Sequence, residues 1–584
     1  MFQKLLILAA LFVPPVVIAE QPVRDTPAVN REITLALEKF SNFKLLKIGN
    51  KTGTINVDPS IGLTVEDLRG IELDDRPPKL ARQISYGRQF VDNSPRGRAP
   101  YVAKNIKPFR LDHFNCEFNY GGHHNNLMQD YASLHGFNTI ALYRRTKVQQ
   151  DVFPPGTRIS KWKGISAYRT KWFKEKQIPS GRYDLLDDSH FQISATPSNP
   201  QENRQLAHLM LDMEHAVLPP QRLVKQKWYP RTNTEQFAKK YYLNYAKTIT
   251  SFVDAYHRVG FQNIGIYGWQ PFHKAWVPMI RNLPLPRDGW EAFGKRIYQH
   301  VDVIHNSVYC PYSSGRNVAY VLASIEENVH RVDEMPIKKP IRPYFWPLIS
   351  GGGKGDRWWR EIPHPNEDQL AMIAMSFFTG TDGIVIWNWS GTSSHHKPSS
   401  DSFNGKKNKG FHTVMVGKPF RMSKADGSFE IFQRYDCLHV TNVGNGSMSF
   451  QKIDPAAKKT NYGISPNSYT FNANSAALRN YLRPRSEPIS AVVEGLALIK
   501  PFEYSLKTGT PKIDHDAPTD FRKYNPLLRR VVNGNYHLVI TYDPRSFRTG
   551  EKRPVKVQNF AGRDGLDLIF PADEHPRIFV VANK

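Results

Sequence analysis

Cysteine is scarce in this chain: among 584 residues only Cys116, Cys310 and Cys437 occur, and they form no metal-ligand spacing. At most one disulfide is expected, and a chain this long builds a sufficient core without any. After the first twenty residues there is no apolar run of about eighteen, the length a spanning helix needs. No Gly-rich fingerprint follows a strand. Gly351-Gly352-Gly353-Lys354-Gly355-Asp356 lacks the Lys-Ser/Thr ending of a phosphate-binding loop and reads as a flexible loop. The Gly-x-Ser-x-Gly elbow is absent too, so a serine-esterase route has no support. Acid is also in short supply: Lys plus Arg total 79 against 53 Asp plus Glu, a formal net charge of +26.

What is present begins with an address. Lys4, the apolar stretch Leu5 to Val13 and the small-residue pattern Val17-Ile18-Ala19 predict a secretory leader cut after Ala19. The expected product is secreted or periplasmic, with no membrane association after cleavage. For an exported protein so basic, nucleic acid is an unsuitable target. An acidic or sulfated polysaccharide suits the charge better. Hydrophobic content of 40% and aromatic content of 12% fit a globular chain.

Residues 20–107 read as an N-terminal extension, with a helix expected at Arg31 to Lys47. Between Phe109 and Gly391 strand and helix patterns alternate. Strands are expected at Arg110–Phe118, Phe137–Tyr143, Tyr183–Ile193, Ala207–Glu214, Asn263–Trp269, Val303–Tyr309, Ile341–Leu348 and Gly383–Trp389. Helices are expected at Asn125–His135, Thr234–Val259, Trp290–Val301, Val318–Val332 and Glu367–Thr379. This rhythm predicts an α/β fold in which residues 108–391 form a (β/α)8 TIM barrel. Residues 392–428 read as a polar linker. Residues 429–584 read as a C-terminal antiparallel β domain, sandwich-like, with strand-like runs at Leu438–Asn442, Ile489–Ile499, Tyr536–Tyr542, Leu566–Phe570 and Ile578–Val581.

In such barrels the reacting groups lie where strands run out into the loops beyond them. The run His208-Leu209-Met210-Leu211-Asp212-Met213-Glu214-His215 ends in two carboxylates two positions apart. On a strand they project from one face, roughly 7 Å apart along it. Like charges and burial together raise one pKa and make a general acid. The competing reading is a helix-capping Asp212 and a solvated Glu214 in the loop before Pro219-Pro220. The other strand ends supply Asp112, Glu117, Arg144, Tyr267, Trp269, Tyr309, Trp346, Trp387 and Asn388. Aromatic faces stack on sugar rings, and Arg holds sulfate or carboxylate groups. His123-His124 and His395-His396 point apart as neighbours on a strand, so no metal and no cofactor is expected.

Asp212-Met213-Glu214 resembles the Asp-x-Glu on strand four of the hyaluronidase-like glycoside hydrolases. Ile266 to Phe272, Asn306 to Tyr312 and Thr381 to Trp387 resemble their fifth, sixth and eighth strands. The resemblance covers roughly Leu206 to Gly391, without the two disulfides typical of the animal enzymes. It implies that Glu214 is the general acid and that Asp212 orients the substrate's acetamido group or a water. It further implies that Tyr267 and Tyr309 line the reacting subsite and that Trp387 forms its floor. If the substrate lacks an acetamido group, Glu117 or Asp212 must supply a second carboxylate. Two other classes stay open: a noncatalytic polysaccharide-binding protein on a barrel scaffold, and a polysaccharide lyase.

Overall fold

The computed structural model describes residues 27–76, 105–120, 134–145, 208–212, 231–239, 261–267, 287–310, 316–333, 335–347, 364–387, 412–416, 418–433, 436–444, 447–453, 471–474, 482–483, 488–512, 525–546 and 550–583, with scattered positions in 243–257. The leader, the expected strand Tyr183–Ile193, the loop Gly351 to Asp356, most of the linker, and Glu214, Trp269 and Asn388 lie outside these residues.

The chain starts with helix α1 (Pro27–Lys39) and strands β1 (Leu45–Lys47) and β2 (Gly53–Asn56). Strands β3 (Asn115–Tyr120), β4 (Thr139–Arg145), β5 (His208–Asp212) and β6 (Asn263–Tyr267) come after them. Next are helix α2 (Arg287–His300), strand β7 (Val303–Ile304), helix α3 (Arg316–Asp333), strand β8 (Tyr344–Phe345), helix α4 (Asn366–Phe378) and strand β9 (Gly383–Ile386). Strands β3 to β9 form one seven-stranded sheet in the order β7-β6-β5-β4-β3-β9-β8, and every pairing in it is parallel.

Its two outer strands are bridged as well. Ile304 pairs with Ile341 and Ser307 with Tyr344, both in parallel. Arg342 N–H donates to Ile304 O at 2.9 Å, and Tyr344 N–H to Asn306 O at 2.8 Å. Strands β4 and β5 pair directly, with Leu142 beside Leu209 and Arg145 beside Asp212, so no strand comes between them.

The remaining elements are β10 (His412–Val416), β11 (Phe420–Ser423), β12 (Phe429–Phe432), β13 (Cys437–Gly444), β14 (Ser447–Ile453), β15 (Phe471–Asn474), β16 (Leu482–Arg483), helices α5 (Pro488–Ile499) and α6 (Glu503–Thr508), and then β17 (Thr510–Lys512), β18 (Leu527–Asn533), β19 (Tyr536–Tyr542), β20 (Val555–Val557), β21 (Leu566–Phe570) and β22 (Arg577–Ala582). The expected strand Ile489–Ile499 is the helix α5. Apart from Glu494 its residues from Ala491 to Ile499 are apolar or glycine and buried, which erases the period that separates helix from strand. Pro488 at its first position is the residue that marks a helix start.

The two ends of the chain share sheets. Strand β1 pairs in parallel with β22 at the edge of the sheet β1-β22-β19-β18-β17, and β2 pairs in parallel with β21 in β2-β21-β20. These sheets enclose a core of Val539, Phe579, Leu528, Val557, Leu568 and Phe570. The other face of the larger sheet offers Val531, Leu538, Ile540 and Val580 to a second core that continues through α5 and α4 to Cys116, Ile384 and Ile386. Helix α4 is therefore covered on both sides. Gly495 of α5 permits this, since a Cβ there would stand 2.8 Å from Ile373 Cβ. Tyr542 O–H donates to Asp368 of α4 at 2.6 Å.

Cys116 and Cys310 are free and buried, and burial pushes both thiols up, away from reactive thiolate. Two carboxyls at the seams are also shifted. Burial raises Glu32 of α1 to about 7, although it accepts the N–H groups of Tyr504 and Ser505 at 2.8 Å. Burial likewise raises Glu494 of α5 to about 7 against the pull of Arg69. A carboxyl raised on folding stabilises the fold fully below its unfolded pKa and loses that contribution as pH climbs through the folded value. The melting temperature is expected to fall as pH rises from about 4.5 to about 7 and beyond, and Glu494→Gln to flatten that slope. Thermal scans across this range check it, and an unchanged slope in the variant contradicts it.

Candidate active site at the strand ends

Alternation along the strands separates an outer face from an inner one. Cys116, Ile384 and Ile386 belong to the outer core with α4. Val385, between them in sequence, faces the other way and joins Met210 and Tyr344, with Tyr267, Tyr309 and Trp387 packed against the three. Glu117 is registered with Val385 and shares its face.

The rings form a continuous wall. Tyr267 lies 5.5 Å from Tyr309 and 5.3 Å from Tyr344, Tyr309 lies 5.4 Å from Trp346, and Tyr344 lies 6.2 Å from Trp387. These residues come from the last position of β6, the segment after β7, β8 with its next residue, and the residue after β9, all at the C-terminal ends of parallel strands. Tyr344 is fully buried and forms the floor, while Tyr267, Tyr309, Trp346 and Trp387 are half-buried above it. Tyr267 Oη is 3.1 Å from Ser307 Oγ, which fixes the phenol's direction. The indole Nε1 of Trp346 is buried and has no hydrogen-bond partner among the described residues.

Two sequence-predicted acids part company here. Asp212 closes β5 in register with Tyr267, two positions beyond Met210, so its position falls on the inner face beside the ring wall. Glu214 lies outside the described residues. Glu117 differs from the expectation of a residue at the rim. It sits inside β3, is fully buried, and accepts a hydrogen bond at 2.6 Å from Nη1 of Arg342. The expected strand runs from Arg110 and leaves Glu117 near its end, whereas the observed strand starts at Asn115 and carries it inward. Asp112 precedes that strand and pairs with Arg76 at 2.6 Å, at the end of the sheet opposite the rings. Arg144 is registered with Leu211, on the face opposite Met210 and Asp212. Tyr143 and Arg145 occupy the inner-face positions of β4.

Sequence reasoning misses the layer beneath the rings. His305 Nδ1 lies 2.8 Å from Arg342 O, and its ring meets Tyr344 edge-on at 5.7 Å. Gly265 makes the room, because a Cβ there would fall 1.9 Å from His305 Cδ2. A signal for this layer exists: His305, Ser307 and Tyr309, like Arg342, Tyr344 and Trp346, are spaced by two. Among the described residues, no group of three or more His, Cys, Asp or Glu side chains could hold a metal ion.

No family model and no curated protein matches the chain. Among solved structures it is similar to a modular endo-β-1,4-mannanase from Cellulomonas fimi, described with the glycoside hydrolase family 26 mannanases. The identity is 11% and the TM-score 0.24, over 60% of this chain and 79% of that one. It is also similar to the endo-β-1,4-mannanase from Thermotoga petrophila, with 10% identity and a TM-score of 0.25, over 82% of this chain and 93% of that one. Likenesses this distant leave the reading to the residues themselves.

Arg342→Leu leaves the buried Glu117 carboxylate without its guanidinium and is expected to cost about 3–5 kcal/mol, whereas Glu117→Met with Arg342→Leu recovers most of that. Denaturant unfolding of Arg342→Leu, Glu117→Met and the double variant measures it. Losses that simply add in the double variant contradict the pairing.

Proposed function

We propose that the chain is a glycoside hydrolase that cleaves an anionic polysaccharide, sulfated or uronic, within the chain. The observation that carries this reading is the register of Asp212 beside Tyr267, which sets an acidic position against a wall of tyrosine and tryptophan at the strand ends. Aromatic faces suit the apolar faces of sugar rings. The Trp346 N–H, without a hydrogen-bond partner among the described residues, suits a sugar oxygen, and the net charge of +26 suits an acidic polymer. Export by the leader would bring the protein to such a polymer. The fold that goes with this reading is a (β/α)8 TIM barrel, and the parallel sheet with the bridges Ile304–Ile341 and Ser307–Tyr344 supports it.

In the mechanism, Glu214 protonates the glycosidic oxygen as the bond to the leaving sugar breaks. Asp212 tunes Glu214 and orients the group that attacks the anomeric carbon. Glu117 is already engaged by Arg342 in the interior, so the attacking group is the substrate's own acetamido oxygen or a water held by Asp212. Tyr267 and Tyr309 line the reacting subsite and Trp387 supports the ring.

Hyaluronan, chondroitin, agar and carrageenan are the panel to digest, with products weighed and reducing ends counted. Cleavage of a charged member with saturated ends is expected. Glu214→Gln is expected to lower turnover by about a thousandfold or more while the polymer stays bound, and Asp212→Asn to lower it by at least about a hundredfold. Retained turnover in Glu214→Gln refutes the acid assignment, and unsaturated products absorbing in the ultraviolet refute hydrolysis in favour of elimination.

A further inference from the structure

The hairpin of β11 and β12 is a two-stranded sheet of its own, joined to none of the other sheets among the described residues. Its two faces differ in character. On the inner face Phe420 stacks on Phe432 at 4.6 Å, and Phe432 meets Phe450 of β14 at 5.6 Å. The acids on this side are already held: Glu430 by Lys424 at 3.1 Å and Lys452 at 3.5 Å, and Asp436 by Lys452 at 2.8 Å.

The outer face carries Arg421 beside Ile431 and Ser423 beside Phe429, all four exposed. Phe429 is 54% exposed and Ile431 56%. The guanidinium carbon of Arg421 stands 5.0 Å from the Phe429 ring centroid, and Lys418 nearby is exposed as well. No acid occupies an outward position on either strand, and Asp426 at the turn accepts from Ser428 at 2.6 Å.

Such a face is narrow. Two strands of four residues span about 10 Å by about 13 Å, far below the roughly 800 Å² per partner that a stable protein interface buries. A single extended chain fits that strip. An exposed aromatic ring with a guanidinium over one face suits a sugar ring bearing a sulfate or carboxylate. We propose that the outer face of this hairpin is an accessory binding surface for the anionic polysaccharide, with Phe429 stacking on a sugar ring and Arg421 holding its charged group. The inference rests on the glycan-cleaving reading above.

The test uses the full chain carrying Glu214→Gln, run by affinity electrophoresis through gels containing carrageenan or hyaluronan, with uncharged agarose as control. Adding Phe429→Ala or Arg421→Ala is expected to weaken retention about tenfold, and Arg421→Lys to restore part of it. In the chain with Glu214 intact, cleavage of short oligosaccharides from the same polymer is expected to stay unchanged. Unchanged retention in a chain that does cleave the polymer overturns this inference alone. If no charged polymer of the panel is either retained or cleaved, the functional reading falls and this inference with it. A dimer in size-exclusion chromatography that Arg421→Glu splits makes the face an interface between copies and overturns the inference.

Discussion

The pairing of the sheet's two outer strands is the constraint on which the site depends. Parallel strands all point their C-terminal ends the same way, and the bridges Ile304–Ile341 and Ser307–Tyr344 bring the first and last strands of the order side by side. Without that return, Tyr309 and Trp346 would lie at opposite edges of an open sheet. With it, their rings are 5.4 Å apart, and the wall runs unbroken from Tyr267 to Trp387. The aromatics find each other, and the one buried carboxylate described there, Glu117, finds Arg342. A charge so satisfied is part of the scaffold.

Helix α4 transmits the second constraint. Its residues from Glu367 to Phe378 are all buried, because the outer face of the parallel sheet lies on one side and α5 with the mixed sheet on the other. The sheet on that far side is itself completed by β1 from the N-terminal segment. The start, middle and end of the chain thus share one apolar core. A disturbance at the N-terminal segment should reach the strands that carry the ring wall through contiguous packing.

Much of this is legible in the sequence, and the exceptions have physical causes. Helices α2, α3 and α4 and the strands at Asn263 and Gly383 stand close to where periodicity puts them. The ring residues Tyr267, Tyr309, Trp346 and Trp387 all stand where a strand pattern runs out, and the structure brings these four together. Glu117 and Arg144 are misplaced by errors at strand ends: a few residues turn an interior position into a rim, and a single residue moves the inner-face position from Arg145 to Arg144. Helix α5 is hidden because burial on all sides removes amphipathicity. The parallel additions of β1 and β2 join positions about five hundred residues apart, and nothing in local sequence announces a contact of that range.

In the proposed function a glycan lies across the inner-face mouth with its scissile bond over the end of β5. The most direct measurement is a crystal structure of the Glu214→Gln chain with an oligosaccharide of the cleaved polymer. A sugar ring stacked against Trp387 or Tyr267 is expected, with its glycosidic oxygen within hydrogen-bond reach of residues 212 or 214. A glycan bound elsewhere, with the ring wall empty, or Asp212 turned from the wall into the outer core, would contradict it.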